Sequence, residues 1–228
     1  SNHMTARDSN RGGCCQSCRW DYDLYENDGG EEVALFDETD APFAMSPKDL
    51  KLIESIPHMI ELGIDSLKVE GRMKSIHYVA TVISVYRKVI DAYCADPENF
   101  QIKQAWLEEL SRCAVRATAS SFFESEPSYK QQMFGTHAVK PKWDFAGLVL
   151  DYNEETQMVT LEQRNYFKPG DTIEFFGPDF ETFQMTVGEL WDDKGESIDV
   201  ARHPLQVLQF KVDRPLSKFS MMRKENKK

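Results

Sequence analysis

With 228 residues, 41% of them hydrophobic and 11% aromatic, the chain can build globular cores of ordinary density, which excludes a disordered tail. Its net charge of −11 excludes general coating of nucleic acid, because binding to phosphates needs clustered Lys and Arg. The length predicts two domains. No apolar run reaches the roughly 18 residues that span a bilayer, so we expect no membrane partner.

Three of the five cysteines, Cys14, Cys15 and Cys18, fall within one short loop. This clustering predicts a reducing compartment, the cytoplasm, rather than a disulfide framework. The spacing suits a soft metal or iron–sulfur centre, a catalytic thiol or an uninvolved loop, and spacing alone leaves these three readings open. Because a closed thiolate site needs four ligands, further ligands would have to come from elsewhere.

The residues around these cysteines also favour a bound group. The glycine before Cys14, Gly13, lets the backbone bend close to a ligand. Arg11 and Arg19 would offset the negative charge of thiolates. We therefore treat residues 11–19 as a candidate site.

Four elements are predicted between this loop and residue 69. Alternation predicts a strand over residues 20–25, with a hairpin partner at 32–36. Helical spacing predicts a helix over residues 47–63, beginning with Pro47 and interrupted at Pro57. A short alternating strand is predicted over residues 64–69.

Two more helices are predicted, over residues 76–94 and 101–115, from apolar side chains at spacings of 3, 4 and 7. Asp96 and Pro97 should end the first of these. Cys94 and Cys113 lie on the predicted helices, and we expect both to be buried and inert. All five histidines are interpreted as packing residues, because no two of them have metal-binding spacing.

From Pro141 onward, short strands separated by turn signals predict a small closed β-barrel or sandwich. The predicted strands are residues 145–151, 158–163, 172–176, 183–190, 197–201 and 207–212. The aromatic residues are interpreted as core, with base stacking as the alternative; they are Tyr166, Phe167, Phe175, Phe176, Phe180 and Phe183.

The last eighteen residues are basic, in contrast to the acidic remainder of the chain. We interpret them as a solvated, fraying tail, with a local basic strip for nucleic acid as the alternative. The basic residues between 211 and the end are Lys211, Arg214, Lys218, Arg223, Lys224, Lys227 and Lys228.

A second candidate site is Glu70-Gly71-Arg72, between a predicted strand and a predicted helix. Proteins of the α/β class place active-site groups at this position. Glu70 would act on a proton, and Arg72 would bind a carboxylate or a phosphate. The alternative is a surface ion pair at a turn.

Two separated segments resemble the collagenase-like U-32 peptidases. The first reads Arg7-Asp8-x-Asn10-Arg11-Gly12-x-Cys14-x-x-x-Cys18-Arg19-Trp20. The second reads Asp65-Ser66-Leu67-Lys68-Val69-Glu70-Gly71-Arg72-Met73-Lys74-Ser75 and continues into the helix with Tyr78 and Tyr86. The order and spacing of both segments carry the resemblance.

This resemblance implies an α+β fold. Residues 1–140 would be the C-terminal part of a TIM-like α/β barrel, and residues 141–228 would be a small all-β barrel domain. It also implies an iron–sulfur cluster on four cysteines, with Cys14 and Cys18 as the last two ligands and Cys15 at a variable position. The chain would then be the C-terminal portion of a longer protein, and without the N-terminal barrel segment it would hold no cluster.

The resemblance further implies that the whole bacterial protein hydroxylates the wobble uridine of tRNA with prephenate, a small carboxylate. Glu70 and Arg72 would be catalytic, and Arg11, Arg19 and Lys68 would bind substrate. Two alternatives are a peptidase of unassigned mechanism and a non-catalytic structural or RNA-binding module. The sequence has neither a His-Glu-x-x-His nor a Gly-x-Ser-x-Gly motif, which favours hydroxylation. The isolated chain is expected to be inactive.

Overall fold

A computed structural model of the chain divides it into two compact units. Residues 1–63 and 114–140 form the first unit, and residues 64–113 and 141–228 form the second. Residues 64–113 thus group with the C-terminal strands, although the sequence analysis assigned them to the segment 1–140; the domain boundary at 141 stays a prediction. The structure describes residues 5–8, 11, 13–17, 20–22, 43–72, 74–124, 126, 131–134, 142–177 and 182–226.

The first unit contains two small sheets. Three antiparallel strands, in the spatial order β1-β2-β5, are formed by Asp21–Tyr22 (β1), Phe43–Pro47 (β2) and Gln132–Phe134 (β5). A parallel pair is formed by Asp49–Leu50 (β3) and Thr118–Ala119 (β4). β1 confirms the start of the strand predicted at 20–25, whereas the predicted hairpin partner at 32–36 lies outside the described residues.

The helix predicted over residues 47–63 is wrong in its first half. Pro47 is the last residue of β2, and only Ile56–Glu61 (α1) is α-helical, preceded by a 3-10 turn at Ile53–Ser55. Pro57 therefore does not break a helix: it lies in the first turn, where its missing N–H is not needed. The predicted end at Gly63 is confirmed, because Gly63 has a left-handed φ of 74°.

Backbone pairing between distant segments explains this error. The amides of Asp49 and Lys51 donate to the carbonyls of Ala117 and Ala119, both at 2.9 Å. These bonds satisfy backbone groups that a local helix would otherwise satisfy. The spacing of apolar residues within 47–63 carries no information about residues 117–119, so the sequence analysis predicted a helix there.

The strand predicted over residues 64–69 is also wrong. This described stretch has no strand, and Ile64 and Leu67 are 46% and 39% exposed. A strand needs a neighbour to pair its backbone groups, and the described residues provide none for this segment. Residues 64–69 therefore have the alternation of apolar and polar residues that is typical of a strand, but they do not pair with another strand among the described residues.

Two helices of the second unit confirm the helical predictions. Ile76–Ala95 (α2) begins after Ser75, whose Oγ accepts a hydrogen bond from the Tyr78 amide at 3.2 Å, and it ends at Asp96. Gln104–Cys113 (α3) follows and packs against α2. One face of α2 is buried through Val82, Val85 and Val89.

Eight antiparallel strands form one curled sheet, a half-barrel, in the second unit. The spatial order is β11-β10-β12-β7-β6-β13-β8-β9. The bounds are Trp143–Asn153 (β6), Met158–Gln163 (β7), Thr172–Phe176 (β8), Phe183–Thr186 (β9), Leu190–Asp192 (β10), Ser197–Ile198 (β11), Val207–Lys211 (β12) and Met221–Glu225 (β13). The predicted bounds of β7 and β8 are confirmed to the residue, and the predicted strand 183–190 is in fact two strands.

One face of this sheet carries the hydrophobic core of the second unit. The rings of Phe167 and Phe175 both lie against Phe210, with centroids 6.2 and 6.3 Å apart. Phe167, Phe175 and Phe183 are thereby confirmed as core, whereas Tyr166 is 49% exposed and Phe180 lies outside the described residues. Further core members are Val149, Val159, Leu161, Ile173, Leu208 and Met222.

The C-terminal strand β13 was missed by the sequence analysis. It lies in the interior of the sheet, paired with β6 and β8, so the interpretation as a fraying tail is wrong for residues 221–225. Met222 and Arg223 are both fully buried. Since successive side chains of a strand alternate between faces, Met222 enters the core and Arg223 points to the opposite face. Basic residues are ordinarily exposed to solvent, so the basic composition of this segment favoured a tail over a buried strand.

No helix in the described part of the chain combines the length and apolar character needed to cross a bilayer.

The close packing of β6 on Leu161 gives a first prediction. A Cβ at buried Gly147 would lie 2.4 Å from Leu161 Cδ2, whereas a Cβ at exposed Gly188 would meet nothing within 4 Å. Gly147→Ala should therefore lower the free energy of unfolding by about 1–3 kcal/mol through overpacking. Gly188→Ala is the control and should change it by less than about 0.5 kcal/mol. Urea unfolding of both variants checks this, and equal midpoints would contradict it.

Candidate functional site

The cysteine loop begins with a tight turn around the carbonyl of Asp8. The amides of Arg11 and Gly13 donate to that oxygen at 3.2 and 2.9 Å. A Cβ at residue 13 would lie only 2.9 Å from the same oxygen, so the turn requires glycine there. The sequence analysis predicted glycine here for a close approach to a ligand; the structure shows a close approach to the backbone of Asp8, and the ligand stays a prediction.

Cys14 is exposed, and its Sγ accepts a hydrogen bond from the Gln16 amide at 3.4 Å. Gln16, the donor of this bond, has a left-handed φ of 54°. Cys15 is half-buried, and Cys18 and Arg19 lie outside the described residues. The part of the chain that the structure describes contains no cluster of three His, Cys, Asp or Glu side chains arranged to hold a metal.

Arg11, predicted to bind substrate, is 89% exposed and forms an ion pair with Asp8 in which Nε lies 3.3 Å from Oδ2. The pair is local, within the same turn. Its guanidinium therefore stays at the surface of the first unit, where an anion can reach it.

The other predicted site residues lie together on one exposed loop of the second unit. Lys68, Glu70 and Arg72 are all exposed, and Glu70 Oε1 accepts a hydrogen bond from the Arg72 amide at 2.9 Å. Gly71 lets this loop pack on α2, because a Cβ there would lie 2.7 Å from Val79 Cγ2. The loop carries these three side chains, and their roles stay predictions.

A buried cluster of charges, which the sequence analysis missed, joins α3 to the sheet. Arg223 is at its centre: Nε donates to Glu174 Oε1 at 2.7 Å, and Nη1 and Nη2 donate to the two carboxylate oxygens of Glu109 at 2.6 and 2.9 Å. Glu174 lies opposite Arg223 on β8, and Glu109 lies on α3. The bidentate geometry favours arginine over lysine at this position.

A second arginine balances the charges. Arg112 Nη1 lies 3.0 Å from Glu174 Oε1 and 3.2 Å from Glu109 Oε2. Glu174 Oε2 accepts a further hydrogen bond from Gln184 at 3.0 Å. Two arginines thus face two glutamates, which is the pairing that makes buried charges tolerable.

Aromatic rings surround the two guanidinium groups. Arg223 lies 4.6 Å from the ring centroid of Phe176, and Arg223 and Arg112 each lie 5.4 Å from that of Trp143. These distances allow cation–π attraction, which is strongest where water is excluded.

The cluster favours the charged forms of Arg223 and Glu109. Burial alone would lower the pKa of Arg223, but hydrogen bonds and charges from Glu109 and Glu174 raise it overall. Burial alone would raise the pKa of Glu109, but Arg223 and Arg112 lower it overall. Each opposite charge therefore outweighs the desolvation of its partner.

His77 lies beside this cluster, at the first turn of α2. Its ring stacks on Phe145 at 5.7 Å and meets the edge of Phe176 at 5.3 Å. The interpretation as a packing residue is confirmed, although Nε2 is buried without a hydrogen-bond partner among the described residues. Burial, followed by the charge of Arg223, lowers the pKa of His77 to about 4, against an opposing effect of Glu109.

The two isolated cysteines differ from each other. Cys113 is buried as predicted, and burial raises its pKa to about 11, which keeps the thiol protonated and unreactive. Cys94 is exposed, so the prediction that it is buried is wrong. It lies near the C-terminal end of α2, on the face away from Val85 and Val89.

A weak signal for the charge cluster is present in the sequence. Glu109 and Arg112 are three residues apart on a helix, next to the buried Leu110 and Cys113. Charged residues that share the buried side of a helix need partners across the interface. The identity of that partner, Arg223, cannot be read from local spacing.

Comparison with known families identifies the class of protein. Residues 1–133 match the model of peptidase family U32, and residues 141–223 match the model of the U32 C-terminal domain. The chain belongs to peptidase family U32.

Relatives within this family carry different names. The chain is 70% identical over 224 residues to tRNA hydroxylation protein P1 of Bacillus subtilis (strain 168), covering 98% of this chain and 53% of that protein. It is 36% identical over 178 residues to a collagenase of Porphyromonas gingivalis (strain ATCC BAA-308 / W83), covering 77% of this chain and 42% of that protein.

One solved structure is also similar. It is the C-terminal domain of a Geobacillus thermoleovorans protein described as a putative U32 peptidase, with 55% identity, a TM-score of 0.36, and coverage of 36% of this chain and 93% of that one. The chain spans about half the length of the curated relatives it matches.

The charge cluster gives a second prediction. Arg223→Met leaves Glu109 and Glu174 short of a buried counter-charge, so the free energy of unfolding should fall by about 3–5 kcal/mol. Lys224→Met on the same strand removes a partly buried pair with Asp171 at 3.1 Å, a single contact in place of a bidentate one, and should cost clearly less, about 1 kcal/mol. Denaturant titration of both variants measures the difference. Equal losses would contradict a special role for Arg223.

The pKa of His77 gives a third prediction. Its folded pKa of about 4 lies below its ordinary value of 6.5, so the unfolded state binds more protons between these two pH values. Stability should therefore fall by up to about 3 kcal/mol as pH falls from 6.5 to 4. His77→Phe, which keeps an aromatic ring between Phe145 and Phe176, should flatten that slope. If the dependence of the unfolding free energy on pH between 4 and 6.5, measured by denaturant titration, were the same in His77→Phe as in the wild type, the lowered pKa of His77 would be contradicted.

Proposed function

We propose that the protein to which this chain belongs hydroxylates tRNA. The relation that supports this most directly is the 70% identity over 98% of the chain to tRNA hydroxylation protein P1. Since the chain spans about half of that relative, the activity is proposed for the whole protein. The proposed base is the wobble uridine, and a cytoplasmic location follows from a tRNA substrate.

The cysteine loop is the proposed cofactor site. Cys14 and Cys18 would supply two of the four thiolates of an iron–sulfur cluster, and the other two would come from elsewhere in the whole protein. The exposed Cys14 and the amide directed at its sulfur fit a thiolate ligand, because hydrogen bonds to sulfur stabilise the negative charge. The cluster would supply one-electron redox chemistry.

The exposed cations and carboxylate are the proposed contacts to substrate. Arg11 and Lys68 present accessible positive charge, and Arg19 is proposed to do the same. Arg72 would bind a small carboxylate such as prephenate, with Glu70 next to it as a proton acceptor or donor.

We further propose that residues 1–140 contribute the last part of a TIM-like barrel in the whole protein. The parallel pairing of β3 with β4 supports this, since parallel strands joined through helices are the connection that such barrels use. The exposed Ile64 and Leu67 also support it, because a neighbouring strand would bury them.

Peptidase activity is the second candidate, favoured by the relation to the collagenase of Porphyromonas gingivalis. A non-catalytic binding module is the third for the chain by itself. Release of peptides from gelatin by the whole protein, in a preparation that lacks contaminating proteases, would support the second candidate.

Complementation gives a fourth prediction. In a bacterium that carries this gene and makes hydroxyuridine in its tRNA, deletion of the gene should remove hydroxyuridine, and the whole wild-type protein should restore it. Cys14→Ser and Cys18→Ser should fail to restore it because each removes a ligand. Cys94→Ser, at an exposed cysteine on α2, is the matched control and should restore it fully. Mass spectrometry of tRNA nucleosides measures the outcome; hydroxyuridine that persists after deletion would refute the proposed function.

A further inference from the structure

A groove of about 470 Å³ lies within the second unit, between α2 and the sheet. One wall is α2, through Ile83, Arg87 and Lys88. The other wall is the end of β8 and the start of β13, through Phe176, Phe219 and Met221. Its volume is in the range of sites that hold a small molecule or one nucleotide-sized group.

The base of the groove is apolar and open to solvent. Ile83 and Phe219 are 48% and 62% exposed, an unusual position for two large hydrophobic side chains that face one cavity. Phe219 also has a left-handed φ of 69°, which is energetically unfavourable for a residue with a side chain. The fold therefore holds an aromatic ring at the surface instead of burying it.

Backbone hydrogen bonds fix this conformation. The Phe219 amide donates to the Val149 carbonyl at 2.9 Å, and the Val149 amide donates to the Ser220 carbonyl at 2.8 Å. These bonds attach the turn before β13 to β6. The ring of Phe219 is thus presented on a rigid support, which reduces the entropy lost when a partner binds.

Positive charge surrounds the apolar surface. Lys88 is exposed at the rim, and the ammonium group of Lys218 lies over one face of the Phe219 ring, 5.3 Å from its centroid. Arg87 is 58% exposed and is paired with Asp91 at 2.5 Å. An aromatic face flanked by exposed cations is the arrangement by which proteins hold single-stranded nucleic acid, with a base on the ring and phosphates on the cations.

We propose that this groove binds an unpaired nucleotide of the RNA substrate, with its base stacked on Phe219 and its neighbouring phosphates on Lys88 and Lys218. The inference rests on the proposed function and names the RNA-contacting surface. Charge complementarity decides between occupants: an apolar peptide would fill the groove without needing the flanking cations, whereas RNA needs both features.

The first test uses fluorescently labelled, unmodified tRNA and the 228-residue chain, with affinity measured by fluorescence anisotropy. Phe219→Ala should weaken binding about fivefold or more, because a stacked base contributes about 1–3 kcal/mol. Phe219→Tyr keeps the ring and should bind as the wild type does. Leu205→Ala is a matched control, since Leu205 is also 57% exposed with a left-handed φ of 61°, and it does not line the groove.

The second test concerns charge. Lys88→Gln should weaken tRNA binding and reduce the slope of log affinity against log salt by about 0.7–1, as expected for the loss of one phosphate contact. Lys194→Gln, at an exposed turn between β10 and β11, is the matched control and should leave the slope unchanged. Circular dichroism confirms that all the variants are folded.

The outcomes separate the groove from the proposed function. Wild-type chain that does not bind tRNA, or Phe219→Ala that binds as tightly as Leu205→Ala, overturns the groove assignment. If hydroxyuridine depends on the gene in that case, the proposed function stands without the groove. If hydroxyuridine persists after deletion while Phe219→Ala weakens binding, the groove stands as an RNA site and the hydroxylation proposal fails.

Discussion

The buried ion pairs of Arg223 are the interaction on which the second unit depends. A guanidinium without access to water must be matched by carboxylates, and here they come from β8 and from α3. Successive side chains of β13 point to opposite faces of the sheet, so this arrangement is compatible with a hydrophobic core. Met222 packs in the core, and Arg223 forms its ion pairs on the opposite face. One short strand therefore joins the hydrophobic core to the helical layer.

This arrangement explains why residues 64–113 group with the C-terminal sheet. Helix α3 contributes Glu109 and Arg112 to the charge cluster, and α2 contributes His77 to the rings of Phe145 and Phe176. The two helices cover the sheet face that the hydrophobic core leaves open. One wall of the groove beside Phe219 is α2, and α2 packs against α3, the helix that the charge cluster joins to the sheet.

The sequence predicted those elements that are specified by residues within the element itself. Helix α2 has a continuous apolar stripe and a serine cap, and β7 and β8 have clear alternation between turns, so their bounds follow from pattern. Residues 47–51 were mispredicted because their backbone partners are distant in sequence, and β13 was missed because Arg and Lys normally indicate solvent. At the candidate site, glycine predicted the turn before Cys14, whereas the groove combines residues from both ends of the unit and has no local signature.

The structure also changes which positive charges are available to RNA. Counting the basic residues after 210 suggests a strip, but Arg223 is buried between two glutamates and Lys224 is paired with Asp171. Lys218, from that segment, is exposed beside the Phe219 ring, and Lys88, from α2, is exposed at the rim of the same groove. An acidic chain can still bind a polyanion at one place if a few cations converge there, since repulsion by exposed acidic residues farther away than a Debye length of about 8 Å is largely screened. Position, rather than net charge, then decides where RNA binds.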